Sequence, residues 1–168
     1  MDIRIRPAEA ADYDALCALI AEVDGLHANE LPQIFQRAPG PVRDRATLTA
    51  QMADPSEGIL LAQAGDHVVG FVHVVLQESP PMPILVPRRS AKVSDLCVNA
   101  AFRRCGIGRA LMKAAEDWAA ARGATALELN VFGFNRGAID LYHTLGFQMI
   151  SHRMSKPLWA ATLTAAGS

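Results

Sequence analysis

Between Arg103 and Leu111 the chain reads RRCGIGRAL, with Gly106 and Gly108 set among Arg103, Arg104 and Arg109 where an apolar helical period begins. A helix start carries backbone N–H groups without intrahelical partners, and the aligned peptide dipoles make that end positive. Glycine removes the side chain where a backbone must approach a ligand closely, so the pattern suits a phosphate or pyrophosphate. Further on, Asn135 and Tyr142 are seven residues apart, which at about 100° per residue puts them on one face of one helix. A phenol with an ordinary pKa of about 10 stays protonated near neutrality and can donate to a leaving group.

What is missing narrows the anion. The lysine and hydroxyl of a P-loop are absent, as is the third glycine of a dinucleotide loop, so nucleotide hydrolysis and hydride transfer lose ground. The plain alternatives are a strand-to-helix turn with solvated arginines and, for Tyr142, a core aromatic on an amphipathic helix.

Taken together, RRCGIGRALM, the strand ALELNV and NRGAIDLYHTLGF resemble the GCN5-related N-acetyltransferase family, from about Val93 to Phe147. The resemblance implies a single α/β (α+β) domain. Its central sheet is mixed, mostly antiparallel and twisted, splayed at the cofactor strand, with helices on both faces. It implies that Arg103, Arg104, Cys105, Gly106, Ile107 and Gly108, helped by Arg109, cradle the pyrophosphate of acetyl-CoA, with no metal. Free main-chain groups of Leu96, Cys97 and Val98 then pair with the pantetheine arm, Asn135 contacts that arm, and Tyr142 is the general acid toward the departing thiolate. Valine at either Gly106 or Gly108 is expected to weaken CoA more than phosphate-free pantetheine analogues.

The implied reaction is N-acetyl transfer from acetyl-CoA to a primary amine of a small molecule or peptide, by direct attack in a ternary complex. The rival readings are a non-catalytic acyl-CoA-binding sensor and a nucleotide-binding signalling domain. Acyl transfer needs a neutral amine, a polarised carbonyl and a proton for the thiolate; a backbone N–H near Val98 suits the second need. Asp95, Glu128, Asn130, His27, Glu30 and His73 are candidates to take the amine proton, though the ordinary role of each is a surface carboxylate or amide or a satisfied histidine. An acetyl-cysteine intermediate at Cys97 or Cys105 is disfavoured, since the main chain should face the cofactor at the first and the second occupies a variable loop position.

Within 168 residues, 51% apolar and 20% charged with a net charge of −1, one domain has room for a sizeable core, and no bulk charge points to nucleic acid. Cys17, Cys97 and Cys105 form no CxxC pair, favouring a reduced compartment without disulfides or structural zinc. No window reaches the roughly eighteen apolar residues of a membrane span. A soluble, cytoplasmic protein is expected, and a homodimer fits the resemblance.

These residues need elements to position them. Alternation predicts a strand at Ile3 and Ile5 stopped by Pro7, and spacings of three and four predict a helix from Asp12 to Val23 ended by Gly25. A loop from Leu26 to Val42 and a helix from Asp44 to Met52 come next. Gly58–Gln63 and His67–Leu76 read as a hairpin, Gln77–Ser90 as a proline-rich loop, and Ala91–Val98 as a strand. The strongest helical period runs from Gly106 to Arg122 and is closed by Gly123. Ala126–Val131 is a strand and Asn135–Leu145 a helix capped by Asn135 and ended by Gly146. Two last strands are expected at Phe147–Ile150 and Arg153–Lys156, within a domain spanning 1–157, before a tail at 158–168. The acceptor is expected between Leu26–Val42 and Gln77–Ser90, lined by His27, Glu30, Phe35 and Arg88; Glu30 favours a cation there, Arg88 and Arg89 a carboxylate.

Overall fold

Strand β2 (Glu57–Ala64) buries every residue from Gly58 to Ala62, the pattern of a strand covered on both faces. The computed structural model describes residues 2–156 and Leu158. Around β2 lie β1 (Arg4–Pro7), β3 (His67–Glu78), β4 (Arg89–Val98) and β5 (Leu127–Leu129), with helices α1 (Tyr13–Glu30), α2 (Arg45–Ala53), α3 (Ile107–Ala120) and α4 (Arg136–Thr144). The five-stranded sheet has the order β1-β2-β3-β4-β5. Its first four strands are antiparallel neighbours and β5 joins β4 in parallel.

Period-two alternation sorts the strands into two cores. Leu60, Ala62, Val72, Val74 and Val93 pack with Ile107, Leu111, Met112 and Ala115 of α3, and Tyr142 of α4 and Leu145 just after it close on the same side. Ile59, Leu61, Phe71 and Cys97 pack beneath Leu16, Leu19 and Ile20 of α1 and Leu48 of α2. The mixed single-domain architecture expected from the sequence is the one observed.

One irregularity sets the geometry of the central strand. His73 lies opposite Asp95, whereas Val74 lies opposite Val93, so Ser94 is an extra residue on β4. Such a bulge bends its strand and re-aims the neighbouring side chains. Val93 therefore faces α3, while Asp95 and Cys97 fall on the α1 side. The β4–β5 ladder ends at Val93 opposite Leu129, the last residue of β5, and β4 continues past it to Val98.

Three expectations need correction. Gly25 does not end α1, which runs on to Glu30; glycine inside a helix costs only about 1 kcal/mol, and buried Ala28 beyond it holds the continuation down. Asp12 belongs to a 3-10 turn at Ala10–Asp12 rather than to the helix. No strand forms at Phe147–Ile150 or Arg153–Lys156. Met149, Ile150 and Met154 are exposed there, because alternation without a partner edge does not make a strand and β5 presents only three residues. The expected tail at 158–168 lies outside the described residues apart from exposed Leu158.

The sheet meets α3 at Gly58, where an added Cβ would lie 2.5 Å from Cε2 of the Trp118 ring. Gly58→Ala is expected to lower stability by about 1–3 kcal/mol through overpacking. Thermal melting checks this, and Trp118→Leu in the same chain should recover part of the loss.

Candidate active site

After β4 a 3-10 turn, Ala100–Phe102, is capped by Asn99, whose Oδ1 accepts from Ala101 N at 3.1 Å. It delivers the chain to the glycine loop. There Arg104 takes φ +64° and Gly106 φ +81°. A left-handed conformation costs a non-glycine residue about 1–2 kcal/mol, and strain of this kind collects at ligand clamps. Turns of this sort gather main-chain N–H groups into an anion-binding concavity. Helices α2 and α4 are capped by side chains: Asp44 accepts from Thr47 N on α2 and Asn135 from Ala138 N on α4. Helix α3 starts at Gly106 with no side-chain cap, so its first N–H groups remain available.

The three arginines differ. Arg103 donates Nε to the Val98 carbonyl at 2.9 Å and pairs with Glu22 of α1, which also accepts from Ala100 N at 3.0 Å. Its side chain staples the end of β4 to α1, leaving its main chain to the loop and engaging one of the Val98 groups expected to be free. Arg109 donates to Thr144 Oγ1 at 3.1 Å and ties α3 to α4. Arg104 is exposed, and among the described residues its guanidinium has no hydrogen-bond or ion-pair partner.

The remaining loop residues divide between anchor and surface. Ile107 is buried in the α3 core and offers only its backbone, whereas Cys105 is exposed. A Cβ on Gly108 would lie 3.1 Å from Leu141 and 3.9 Å from Val98, so β4, the start of α3 and α4 converge there. Leu96, Val98 and Tyr142 pack against the same core cluster. Cys97 points the other way: its thiol donates to Leu19 O at 3.4 Å, and burial pushes it up to about 12. It remains a thiol near neutrality, which argues against a cysteine nucleophile.

Asn135 uses Oδ1 to cap α4 at 3.2 Å from Ala138 N, which leaves its amide N–H groups for other partners. Two turns on, Tyr142 sits half-buried with its ring 5.7 Å from Phe147. Burial alone pushes its phenol up to about 12, so it holds its proton across the neutral range.

On the α1 side, charged groups meet that the sequence did not bring together. His73 Nε2 is 2.6 Å from Glu57 and Nδ1 is 3.6 Å from Asp95, which pairs with Arg43 at 3.0 Å. Burial works to raise the Asp95 carboxyl, but His73 and Arg43 outweigh it and hold it below the usual carboxylate range. On α1, burial pushes the Asp24 carboxyl up against the pull of Arg43. Arg43 and Asp24 line a cavity of about 450 Å³ between α1 and residues 37–43. Sequence reasoning named His73 and Asp95 but missed Glu57, Arg43 and Asp24, since only strand register and the path of the 31–44 loop join them.

Other expected acceptor residues are apart. His27 and Phe35 stack at 5.1 Å and meet Phe132 and Phe134 of the β5–α4 connection. Arg88 pairs with Glu128, and both line a separate cavity of about 280 Å³ beside the 79–88 loop. Glu30 and Asn130 are exposed. Among the described residues no three His, Cys, Asp or Glu side chains gather to hold a metal ion, and no helix is long and apolar enough to cross a membrane.

A family model described as the acetyltransferase (GNAT) family matches residues 21–147. N-acetyltransferase 8B of Rattus norvegicus is 29% identical over 117 residues, 69% of this chain and 51% of that protein, so the chain spans about half the length of this relative. The uncharacterized N-acetyltransferase YhfO of Bacillus subtilis is 27% identical over 146 residues, covering 87% of this chain and 90% of that one. Among solved structures, a mutant of the BH1408 protein from Bacillus halodurans superposes with a TM-score of 0.88 at 29% identity, covering 93% of this chain and 99% of that chain.

Proposed function

Because this chain belongs to the acetyltransferase (GNAT) family, whose members move acetyl from acetyl-CoA to amines, we propose that it acetylates a primary amine of a small molecule or peptide by direct attack in a ternary complex. The observation that carries this reading is the packing of Tyr142, Leu96 and Val98 against one core cluster, which includes Ile107 at the uncapped start of α3. The Arg104–Gly108 backbone and the Arg104 guanidinium hold the pyrophosphate, and main-chain groups of Leu96, Cys97 and Val98 receive the pantetheine arm. The side chains of Arg103 and Arg109 act one step removed, by fixing the loop to α1 and α4. The N–H groups of Asn135 serve the same arm. No step passes through a metal.

The neutral amine attacks the thioester carbonyl carbon while a β4 N–H near Val98 holds the developing oxyanion. As the C–N bond forms and the C–S bond breaks, Tyr142 gives its proton to sulfur and regains one from the nitrogen. Residues 1–157 form the catalytic unit in this reading. Free thiols at Cys17, Cys97 and Cys105 support assigning the protein to the reducing cytoplasm.

Release of CoA from acetyl-CoA over a broad amine panel tests the proposal, alongside calorimetry with CoA, ATP and NAD. Turnover with at least one amine and preference for CoA are expected. CoA binding without turnover would favour the sensor, and tighter ATP or NAD binding the signalling domain.

A further inference from the structure

The transferase reading leaves one chemical need unassigned: an alkyl ammonium, with a pKa near about 10, must lose a proton before its nitrogen can attack. A row of polar side chains, Glu57, His73 and Asp95, crosses the sheet beneath α1. His73 is buried, with a side-chain exposure of 7% against 19% for Glu57 and 21% for Asp95 on either side. An ionisable side chain enclosed between two carboxylates in the middle of a sheet is costly to assemble unless its partners satisfy it. The hydrophobic neighbours Ile59 and Phe71 on the same face show that the position itself asks for an apolar residue.

From this geometry we infer that Glu57, His73 and Asp95 form a proton outlet for the acceptor amine, an inference that rests on the transferase reading. Asp95 comes immediately before Leu96–Val98 and just after the bulge and the end of the β4–β5 ladder, so in the proposed reading it is the member of the row nearest the thioester. Its ion-pair partner Arg43 lines the α1 cavity together with Asp24, so Asp95 lies one ion pair behind the wall of that cavity. In this outlet His73 directs Nε2 to Glu57 at 2.6 Å and takes up the proton at Nδ1, which lies 3.6 Å from Asp95.

The proton balance closes. The ammonium N–H proton passes across Asp95 to His73 Nδ1; the resulting imidazolium passes its Nε2 proton to Glu57, whose partly exposed carboxylate gives it to water. The freed nitrogen lone pair then makes the C–N bond. Asp95 does not keep the proton, because the Arg43 guanidinium at 3.0 Å favours its charged form.

The charged surroundings of His73 are defined on every side. Strand β2 supplies Glu57, β4 supplies Asp95 and, one row along opposite Val75, Lys92. Helix α1 supplies Asp24 and the 31–44 loop Arg43. The one charged residue of α2, Arg45, is turned to Asp14 and the Tyr13 ring.

The test is the pH dependence of acetyl transfer in the intact chain, using an alkyl amine that the wild type accepts. His73→Gln is expected to slow transfer by roughly 10²–10³-fold near pH 7, the usual worth of a general base. The deficit should shrink to about tenfold or less as the pH nears the amine's own pKa of about 10, where the substrate deprotonates unaided. Glu57→Gln should give a smaller loss with the same pH trend, and both variants should keep the wild-type CoA affinity. A loss of equal size at every pH, or no loss, overturns the outlet. If His73→Gln fails to fold, Glu57→Gln decides on the same criterion. A wild type that acetylates no amine removes the transferase reading and this one with it; an active wild type with flat variant profiles removes the outlet alone.

Discussion

Tyr142→Phe should slow acetyl transfer by about 10²–10⁴-fold while acetyl-CoA affinity changes little. The ring is held by packing against the α3–α4 core and Phe147, contacts a phenylalanine keeps, so only the proton donor is lost. A CoA thiolate must then leave without a proton, and the barrier rises at that step alone. The phenol, pushed up to about 12 by burial, stays protonated as the pH climbs through 10. The wild type should therefore show no fall in turnover between pH 8 and 10 from this group, and a decline centred near 10 would contradict the assignment. Steady-state kinetics of both proteins across that range, with a binding isotherm for acetyl-CoA, decide the matter. Equal losses in affinity and turnover would point to damage in α4 instead.

The second large effect is expected at Gly106. A Cβ there meets nothing within 4 Å, yet φ is +81°, so valine causes no collision and acts wholly through the main chain. A β-branched residue resists the left-handed region, and the N–H groups that open α3 lose their common direction. Losing one or two hydrogen bonds to a charged ligand, at roughly 1.5–3 kcal/mol each, should weaken CoA by at least about tenfold. Pantetheine lacking phosphates should bind as before, and calorimetry with the two ligands makes the comparison. The sequence treats the two loop glycines alike, but Gly108 is different: a side chain there presses Leu141 of α4 and should disturb the helix carrying Tyr142 along with any ligand contact.

These two residues also mark how far the sequence can be read. The α3 period and the capping asparagine at Asn135 are local signals, because a helix is specified by neighbours three and four apart, and both elements form where expected. Gly25 misleads because a helix-breaking residue only biases an end, while packing of Ala28 decides it. Phe147–Ile150 has strand-like alternation, but a ladder depends on a partner whose length the segment itself does not encode. The same limit applies to the site. RRCGIGRAL shows its chemistry within nine residues, whereas Glu57, His73 and Asp95 become neighbours only through the pairing of three strands, and no spacing in one dimension announces that. Arg103 is the intermediate case: its place in the motif is legible, but its bond to Glu22 on a distant helix is not.

Ser94 separates the shape of the cleft wall from its pairing. Taking that residue out would leave Val93 opposite Val74 and Asp95 opposite His73, with the two β4 residues now consecutive. Alternation would then be regular, and every side chain downstream would keep its present face. Both cores would survive the change. What would go is the local kink, since a bulge adds bend and twist to its strand, and β4 from Asp95 to Val98 would run straight on past the end of β5. Losing a codon is ordinarily a harsher lesion than exchanging one. Here the shortened chain should fold as a tidier sheet without the bend in its donor strand, a catalyst turned into a scaffold.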